Sequence, residues 1–450
     1  MSASIFKAYD IRGLVDEEIT PDFTFAVGAA FARFLKIQRE PATVVIGEDM
    51  RPSSPDLADA FSAGVTSQGL DVIRIGLAST DLLYFAAGKL NLPGAMFTAS
   101  HNPAAYNGIK LCLSGARPIG KESGLLAIEK FVEEGVPLST HQFGLESSRD
   151  MLDEYVTHLL SLVDLNGIKP LKIVIDAGNG MAGHTAPAVF KRLNAEVIEM
   201  FFELDGSFPN HEANPIDPEN LKDLQRAVLK HGADIGLAFD GDADRCFLVD
   251  ERGELVNPSS LTSLIAAREL AKFPGSTVIY NLISSKAVQE VVAEHGGKSV
   301  RSRVGHSYIK KLMAETDAIF GGEHSGHFYF REFWKADSGM LAALHAIAAL
   351  GETDVPLSTL LAPYNRYISS GEVNSTVSDA AGSVAKIEGI YSSMEGASID
   401  HLDGLTVTAD SWWFNLRASN TEPLLRLNVE ADSQAKMEEI RDSVLAIIRA

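Results

Sequence analysis

Only two cysteines, Cys112 and Cys246, occur among 450 residues, and both stand in apolar strand-like runs. That count leaves no disulfide framework and predicts two buried thiols in a reducing compartment. No apolar run approaches the ~20 residues that a membrane helix requires. The start, Ser2-Ala-Ser-Ile-Phe6, lacks the basic-then-apolar order of a secretory leader. A cytoplasmic location is therefore expected. Positive charge is scarce too: 39 Lys and Arg face 60 Asp and Glu, a formal net charge of -21. Such a surface repels nucleic acid and anionic membranes, so neither is expected as a partner. It equally repels a phosphate ester, so a site for one demands a local cationic pocket.

At 450 residues the chain is too long for a single core, and several domains are expected. A repeat supports this. Three β-branched runs, Thr43-Val-Val-Ile-Gly47, Lys172-Ile-Val-Ile-Asp176 and Thr277-Val-Ile-Tyr-Asn281, each end at a polar turn and precede a helix-like stretch. A second apolar run follows each: Asp71-Val-Ile-Arg-Ile75, Glu196-Val-Ile-Glu-Met-Phe201 and, more weakly, Lys298-Ser-Val-Arg301. Each unit then closes on a third run with a polar end: Met96-Phe-Thr-Ala-Ser-His-Asn102, Ile235-Gly-Leu-Ala-Phe-Asp-Gly-Asp242 and Ala318-Ile-Phe-Gly-Gly-Glu-His-Ser-Gly-His327. Strands alternating with helices predict largely parallel sheets covered on both faces, with ligands beyond the carboxyl ends of the strands. From about Arg366 the pattern changes. A Ser/Gly-rich start, Ser369-Ser-Gly371, leads into strand-like Leu405-Thr-Val-Thr408 and Leu424-Leu-Arg-Leu-Asn-Val429. Met437, Ile440, Val444, Ile447 and Ile448 then recur at helical spacing. This reads as a small α+β domain, and the expected domains span 1–147, 148–252, 253–365 and 366–450.

The polar ends carry the chemistry. Thr98-Ala-Ser-His-Asn-Pro103 sets the Ser100 hydroxyl beside the His101 imidazole in an Asn-Pro turn. Downstream, the Asn-Gly of Tyr106-Asn-Gly-Ile-Lys110 is a turn signal that would fold Lys110 back towards Ser100. In Asp240-Gly-Asp-Ala-Asp-Arg245, alternate carboxylates on an extended segment would point the same way and converge on one ion. A calcium hand is disfavoured, because its loop needs glycine at the sixth position, where Arg245 stands. An oxygen-only site suits magnesium, and a lone hydroxyl beside it is what phosphoryl transfer needs. Gly322-Glu-His-Ser-Gly-His327 offers polar groups suited to polyol hydroxyls, and Arg417-Ala-Ser-Asn-Thr421 a dense set of donors for phosphate oxygens. One competing signal is Gly178-Asn-Gly-Met-Ala-Gly183 with Glu199, which fits a dinucleotide fingerprint or a tight turn that starts a helix close to a sheet. A dehydrogenase and a non-catalytic metal-binding protein therefore stand as alternative classes. The first leaves Ser100 and the Asp triplet without a role.

In order along the chain, Tyr9-Asp-Ile-Arg-Gly13, the Ser100 string, the Asp240–Arg245 string, the Gly322–His327 string and Arg417-Ala-Ser-Asn-Thr-Glu-Pro423 resemble the α-D-phosphohexomutase superfamily. The sugar loop is most similar to that of the bacterial phosphomannomutase/phosphoglucomutase branch. The resemblance implies three related α/β domains with mixed, largely parallel sheets, plus a C-terminal α+β domain similar to the TATA-binding-protein fold, around a central cleft. It implies that Ser100 carries a phosphoryl group and joins Asp240, Asp242 and Asp244 as ligands of one Mg2+. Glu323 and Ser325 would contact sugar hydroxyls, and Arg417, Ser419, Asn420 and Thr421 would hold the phosphate that is not reacting. Arg12, Lys110, Arg245, Lys286, His306 and His327 would line the cleft and supply the cationic pocket that the net charge demands. The general base stays open among Lys110, His101 and His327. A hexose phosphate is the implied substrate, a hexose 1,6-bisphosphate the intermediate and activator, and a monomer or weak dimer the expected state. Mannose phosphate is the expected main substrate, with glucose and glucosamine phosphates as alternatives. One departure stands out: members often carry an acidic pair before a glycine where this chain has Ala336-Asp337-Ser338-Gly339. It bears on a helix start and on sugar specificity.

Overall fold

The computed structural model describes residues 5–139, 142–377, 379–418 and 424–449, with the backbone alone at 306 and 307. It divides into two compact units, Met1–Pro258 with Ser325–Leu360 and Ser259–His324 with Leu361–Ala450.

The first unit contains two turns of the repeat. Strand Thr43–Glu48 lies in the middle of a parallel trio, flanked by Asp71–Leu77 and Gly94–Phe97. Val44, Val45 and Ile46 have no exposed surface, as expected for a strand covered on both faces. The next strand, Tyr106–Leu113, runs antiparallel beside Gly94–Phe97 and pairs on its other edge with Ile11–Leu14. The second repeat has the same order. Leu171–Asp176 is central between Ala195–Met200 and Ile235–Phe239, and Cys246–Asp250 runs antiparallel beyond them. Both cysteines are buried and neither forms a disulfide, and burial pushes the Cys246 thiol well up, so it is inert.

Helix Gly339–Gly351 is wholly buried in this unit, and its start accounts for the departure at 336–339. Ser338 Oγ accepts from Leu341 N–H at 3.1 Å as an N-cap and donates to Asp81 Oδ2 at 2.7 Å. An acidic side chain there would set a second carboxylate against buried Asp81.

In the second unit, Thr277–Asn281 pairs in parallel with Lys298–Ser302 and Phe320–Gly322, the third trio with the first strand again central. The C-terminal sheet is antiparallel throughout, in the order Ile368–Thr376, Leu424–Ala431, Trp412–Ala418, Leu405–Thr408, Ser398–Asp400. Period-2 alternation turns Leu405, Val407, Phe414, Leu416, Leu425, Leu427 and Val429 to one face. Helices Ala380–Tyr391 and Gln434–Ile448 cover it with Ile387, Met437, Ile440, Val444 and Ile448, while Ile447 packs at the margin. No helix among the described residues is long and apolar enough to cross a membrane.

Candidate functional site

After strand Gly94–Phe97 the chain turns through residues 98–105 and returns as Tyr106–Leu113. Within this turn Ser100 adopts a left-handed backbone, φ 51°, and its N–H is held by Thr98 Oγ1 at 2.9 Å. Ser100 Oγ donates to Asp240 Oδ2 at 2.8 Å and lies 3.2 Å from His101 Nδ1. Arg12 pairs with Asp10 and donates to Asn102 Oδ1 at 2.6 Å.

Lys110 reaches the site by a different route from the one expected. Asn107 and Gly108 form no turn but lie inside the strand. Glycine stands at 108 because a Cβ would sit 2.3 Å from Ile11 O on the adjacent strand. Antiparallel pairing sets Lys110 opposite Met96. Its Nζ lies 2.6 Å from both Asp242 Oδ2 and Asp244 Oδ2.

The Asp triplet also converges differently from the extended alternation expected. Residues 240–245 form a tight loop joining strands paired at Phe239 and Cys246. Ala243 is left-handed at φ 59°, its N–H bonds Asp240 O at 3.0 Å, and Arg245 N–H bonds Asp240 Oδ1 at 3.2 Å. The three acids are 0, 0 and 1 % exposed, with ligand oxygens within 4.8 Å of one another. Thr80, which sequence reasoning missed, holds Asp242 twice: Oγ1 donates to Oδ2 at 2.6 Å and N–H to the carbonyl at 3.0 Å. Nothing in the sequence ties Thr80 to a residue 162 positions away.

These residues fit a divalent cation. Oδ1 of Asp242 and Oδ1 of Asp244 are sealed from solvent without a hydrogen-bond partner. Burial, with the charges of Asp244 and Asp242, holds the Asp240 carboxyl well above the usual range. Three buried carboxylates that bring hard oxygens together, two of those oxygens without a hydrogen-bond partner, are a donor set for a hard cation.

Cations gather round the acids despite the net charge. Arg245 Nε lies 3.5 Å from Asp240 Oδ2 and donates to His327 Nε2 at 3.2 Å, while His327 Nδ1 lies 3.1 Å from Ser325 Oγ. Burial opposes the Lys110 charge, but Asp242 and Asp244 more than offset it and hold the ammonium well above its usual range. The positive charge of Arg245, then burial and Arg12, pushes His101 down to about 2, so its imidazole is neutral at ordinary pH.

Backbone meets backbone beside Ser100. A Cβ on Gly241 would lie 2.4 Å from Ser100 O, and one on Gly180 would lie 2.7 Å from Gly241 O. Met181 N–H bonds Gly241 O at 2.9 Å. Gly180 and Gly183 are therefore taken up by chain packing, where a Cβ on the latter would meet Phe202 O at 2.3 Å, and Gly178 by its left-handed turn at φ 53°. This is the tight-turn alternative, and it leaves the dinucleotide fingerprint without structural support.

The second unit holds the remaining candidates. Glu323 is 2 % exposed and accepts from Gly305 N–H at 3.1 Å. Lys286 opens helix Lys286–Glu294, with its N–H on Glu430 Oε1 at 2.9 Å. Arg417 lies 3.9 Å from Glu372 and 3.8 Å from Asp403, and its Nε is sealed without a hydrogen-bond partner. His306 begins helix His306–Thr316, and its side chain lies outside the described residues, as do Ser419, Asn420 and Thr421 entirely.

Family models for phosphoglucomutase/phosphomannomutase match in sequence order. α/β/α domain I matches residues 3–137, domain II 153–253, domain III 257–367 and the C-terminal domain 372–447. The chain belongs to the phosphoglucomutase/phosphomannomutase family. The phosphomannomutase of Salmonella typhimurium is 40% identical over 449 residues, covering 98% of this chain and 97% of that protein. A Xanthomonas campestris protein described as phosphohexose mutases is 42% identical over 443 residues, covering 98% of each. The crystal structure of a phosphoglucomutase/phosphomannomutase family protein from Burkholderia thailandensis superposes with a TM-score of 0.91 at 32% identity, covering 100% of this chain and 98% of its own. By these matches each family domain contributes one string: Ser100 in domain I, the Asp triplet in domain II, Glu323 in domain III and Arg417 in the C-terminal domain.

Proposed function

We propose that this family member is a phosphomannomutase, interconverting mannose 6-phosphate and mannose 1-phosphate and acting on glucose phosphates as well. The observation that carries the reading is the Ser100 hydroxyl, held in a left-handed turn and bonded to one of three buried aspartates. Full-length relatives named phosphomannomutase, such as the one from Salmonella typhimurium at 40% identity, support the choice of sugar.

In the proposed cycle Ser100 is phosphorylated. The Ser100 O–P bond breaks as the free hydroxyl of the hexose monophosphate bonds to phosphorus. The hydroxyl proton passes to the His327 imidazole and is returned to the departing Ser100 oxygen, which leaves as the hydroxyl, while His101, neutral and 3.2 Å from Ser100 Oγ, orients it. The hexose 1,6-bisphosphate then turns over, and its other phosphoryl group returns to Ser100. Asp240, Asp242 and Asp244, with the group on Ser100, would hold one Mg2+, which supplies charge neutralisation at phosphoryl oxygens when bound. Arg12, Lys110 and Arg245 act as fixed cations that stabilise developing charge without reorganising. Glu323 and Ser325 are assigned to the sugar hydroxyls. Arg417, Ser419, Asn420 and Thr421 are assigned to the phosphate that is not reacting, and Lys286 and His306 to the lining of the substrate site. A bisphosphate that reacts in two opposite orientations favours recognition of the 3- and 4-hydroxyls, so the 2-hydroxyl that separates mannose from glucose need not be read. Free sugar phosphates as substrates fit a cytoplasmic enzyme working as a monomer or weak dimer, with domain limits near residues 147, 252 and 365.

Ser100→Ala tests the cycle. Turnover should vanish while the fold persists, and intact-protein mass spectrometry should find a phosphorylated fraction in wild type that is missing from the variant. Full activity of the variant without added bisphosphate overturns the assignment.

A further inference from the structure

One charged side chain near Ser100 has no part in the cycle above. Arg51 lies just past strand Thr43–Glu48, and its side chain is 0 % exposed. A buried guanidinium is costly unless its donors are matched. Four contacts use its terminal N–H groups, three on the Ser100 loop and one on the first residue of the strand that follows it. Nη2 donates to Ser100 O at 2.9 Å and Asn102 O at 2.7 Å, and Nη1 donates to Pro103 O at 3.0 Å and Tyr106 O at 2.9 Å. Its counter-charge, Asp49, lies 3.2 Å from Nε and takes the Arg51 N–H at 3.0 Å and the Ser54 hydroxyl at 2.6 Å. The Phe208 ring covers the guanidinium at 5.1 Å.

We propose that Arg51 is the positioning residue of the Ser100 loop, holding three of its carbonyls and that of Tyr106, where the chain leaves it, so that the hydroxyl stays aimed at the acidic triplet. A left-handed backbone at a residue other than glycine persists only where its surroundings enforce it. At Ser100 the N–H is held by Thr98 and the carbonyl by Arg51. A trans peptide carries its C=O and N–H on opposite sides. Turning the Ser100 carbonyl towards Arg51 therefore turns the His101 N–H away from it, leaving that donor on the side away from the clamp. Lysine cannot replace this arrangement, because a single ammonium lacks the planar fork that reaches four carbonyls. The proposal rests on Ser100 being the phosphoryl carrier.

The test compares Arg51→Lys and Arg51→Met with Val65→Ala, a core variant away from the loop that should lose thermal stability. In the arginine variants, measured where circular dichroism shows them folded, kcat should fall by about 100-fold or more, the cost of a ~1 Å misplacement. KM should stay within about threefold, because ground-state binding is untouched. Transfer from pre-formed phosphoenzyme to glucose 1-phosphate in a single turnover should slow in parallel, while Val65→Ala keeps its kcat. An unchanged kcat in a folded arginine variant overturns the proposal, as does an equal loss in Val65→Ala at matched stability. If neither arginine variant folds, Asp49→Asn decides: lowered kcat at constant KM supports the clamp, and unchanged kcat refutes it. Absence of phosphoserine from active wild type would instead remove the Ser100 reading, a separate failure.

Discussion

Asp81 is the carboxylate whose burial has the clearest consequence for stability. It is 1 % exposed and accepts hydroxyl hydrogen bonds from Ser79, from Tyr155 at 2.7 Å and from Ser338 at 2.7 Å. Burial raises its pKa from 3.8 to about 6, against the opposing effect of those three hydroxyls. The folded-state value exceeds the unfolded one, so the contribution to stability is fully present below pH 3.8 and is lost as pH rises through 6. A shift of about 2 units at ~1.36 kcal/mol each puts the total loss near 3 kcal/mol, about half of it between pH 5 and 8. Asp81→Asn keeps the shape and removes the titration. Its fixed hydrogen-bond cost is the same at every pH, so the informative quantity is the difference in urea stability between variant and wild type. That difference should move in favour of the variant by about 1–2 kcal/mol from pH 5 to 8 and level off above pH 7. A difference that stays flat over this range, or drifts towards wild type, refutes the reasoning.

Two further outcomes follow from the site. Asp242→Asn should weaken magnesium binding measured by calorimetry and cut kcat more than it raises KM, since charge neutralisation matters most in the transition state. Thr80 and Lys110 each lie 2.6 Å from Asp242 Oδ2, so an unchanged rate at low magnesium would instead mark this acid as structural. Glu323→Ala should raise the barrier for mannose and glucose phosphates alike, by ~1–3 kcal/mol for one charged hydrogen bond. Loss of activity towards one epimer alone would show that this loop reads the 2-hydroxyl.

Much of the frame was legible in the sequence because it is written locally. Strand Leu405–Thr408 and the C-terminal helix stand where β-branched alternation and helical spacing put them. Family membership was equally readable from five short strings. Two local signals misled. Asn107-Gly108 has turn chemistry, but here close approach of Ile11 O demands the glycine within a strand. The alternate aspartates suggested an extended segment, whereas a left-handed Ala243 closes a tight loop around them. Arg51, Thr80 and Asp81 were passed over because their partners lie far along the chain. Asp81, in the first turn of helix Thr80–Leu90, meets Ser338, the N-cap of helix Gly339–Gly351, 257 positions on, and only the folded chain brings them together.

The glycine contacts beside Ser100 also bear on how such an enzyme can change. Ser100 O, Gly241 and Gly180 touch through main chain alone, with no side-chain layer to absorb a displacement. Any residue larger than glycine at 241 would push directly on the carbonyl of Ser100. Insertions and deletions in either loop are subject to the same constraint, so the two loops must drift as one piece or not at all. On the proposed reading, diversification over sugars is then left to strings outside this stack, such as that of Glu323, which reaches the Gly305 N–H through its carboxylate side chain.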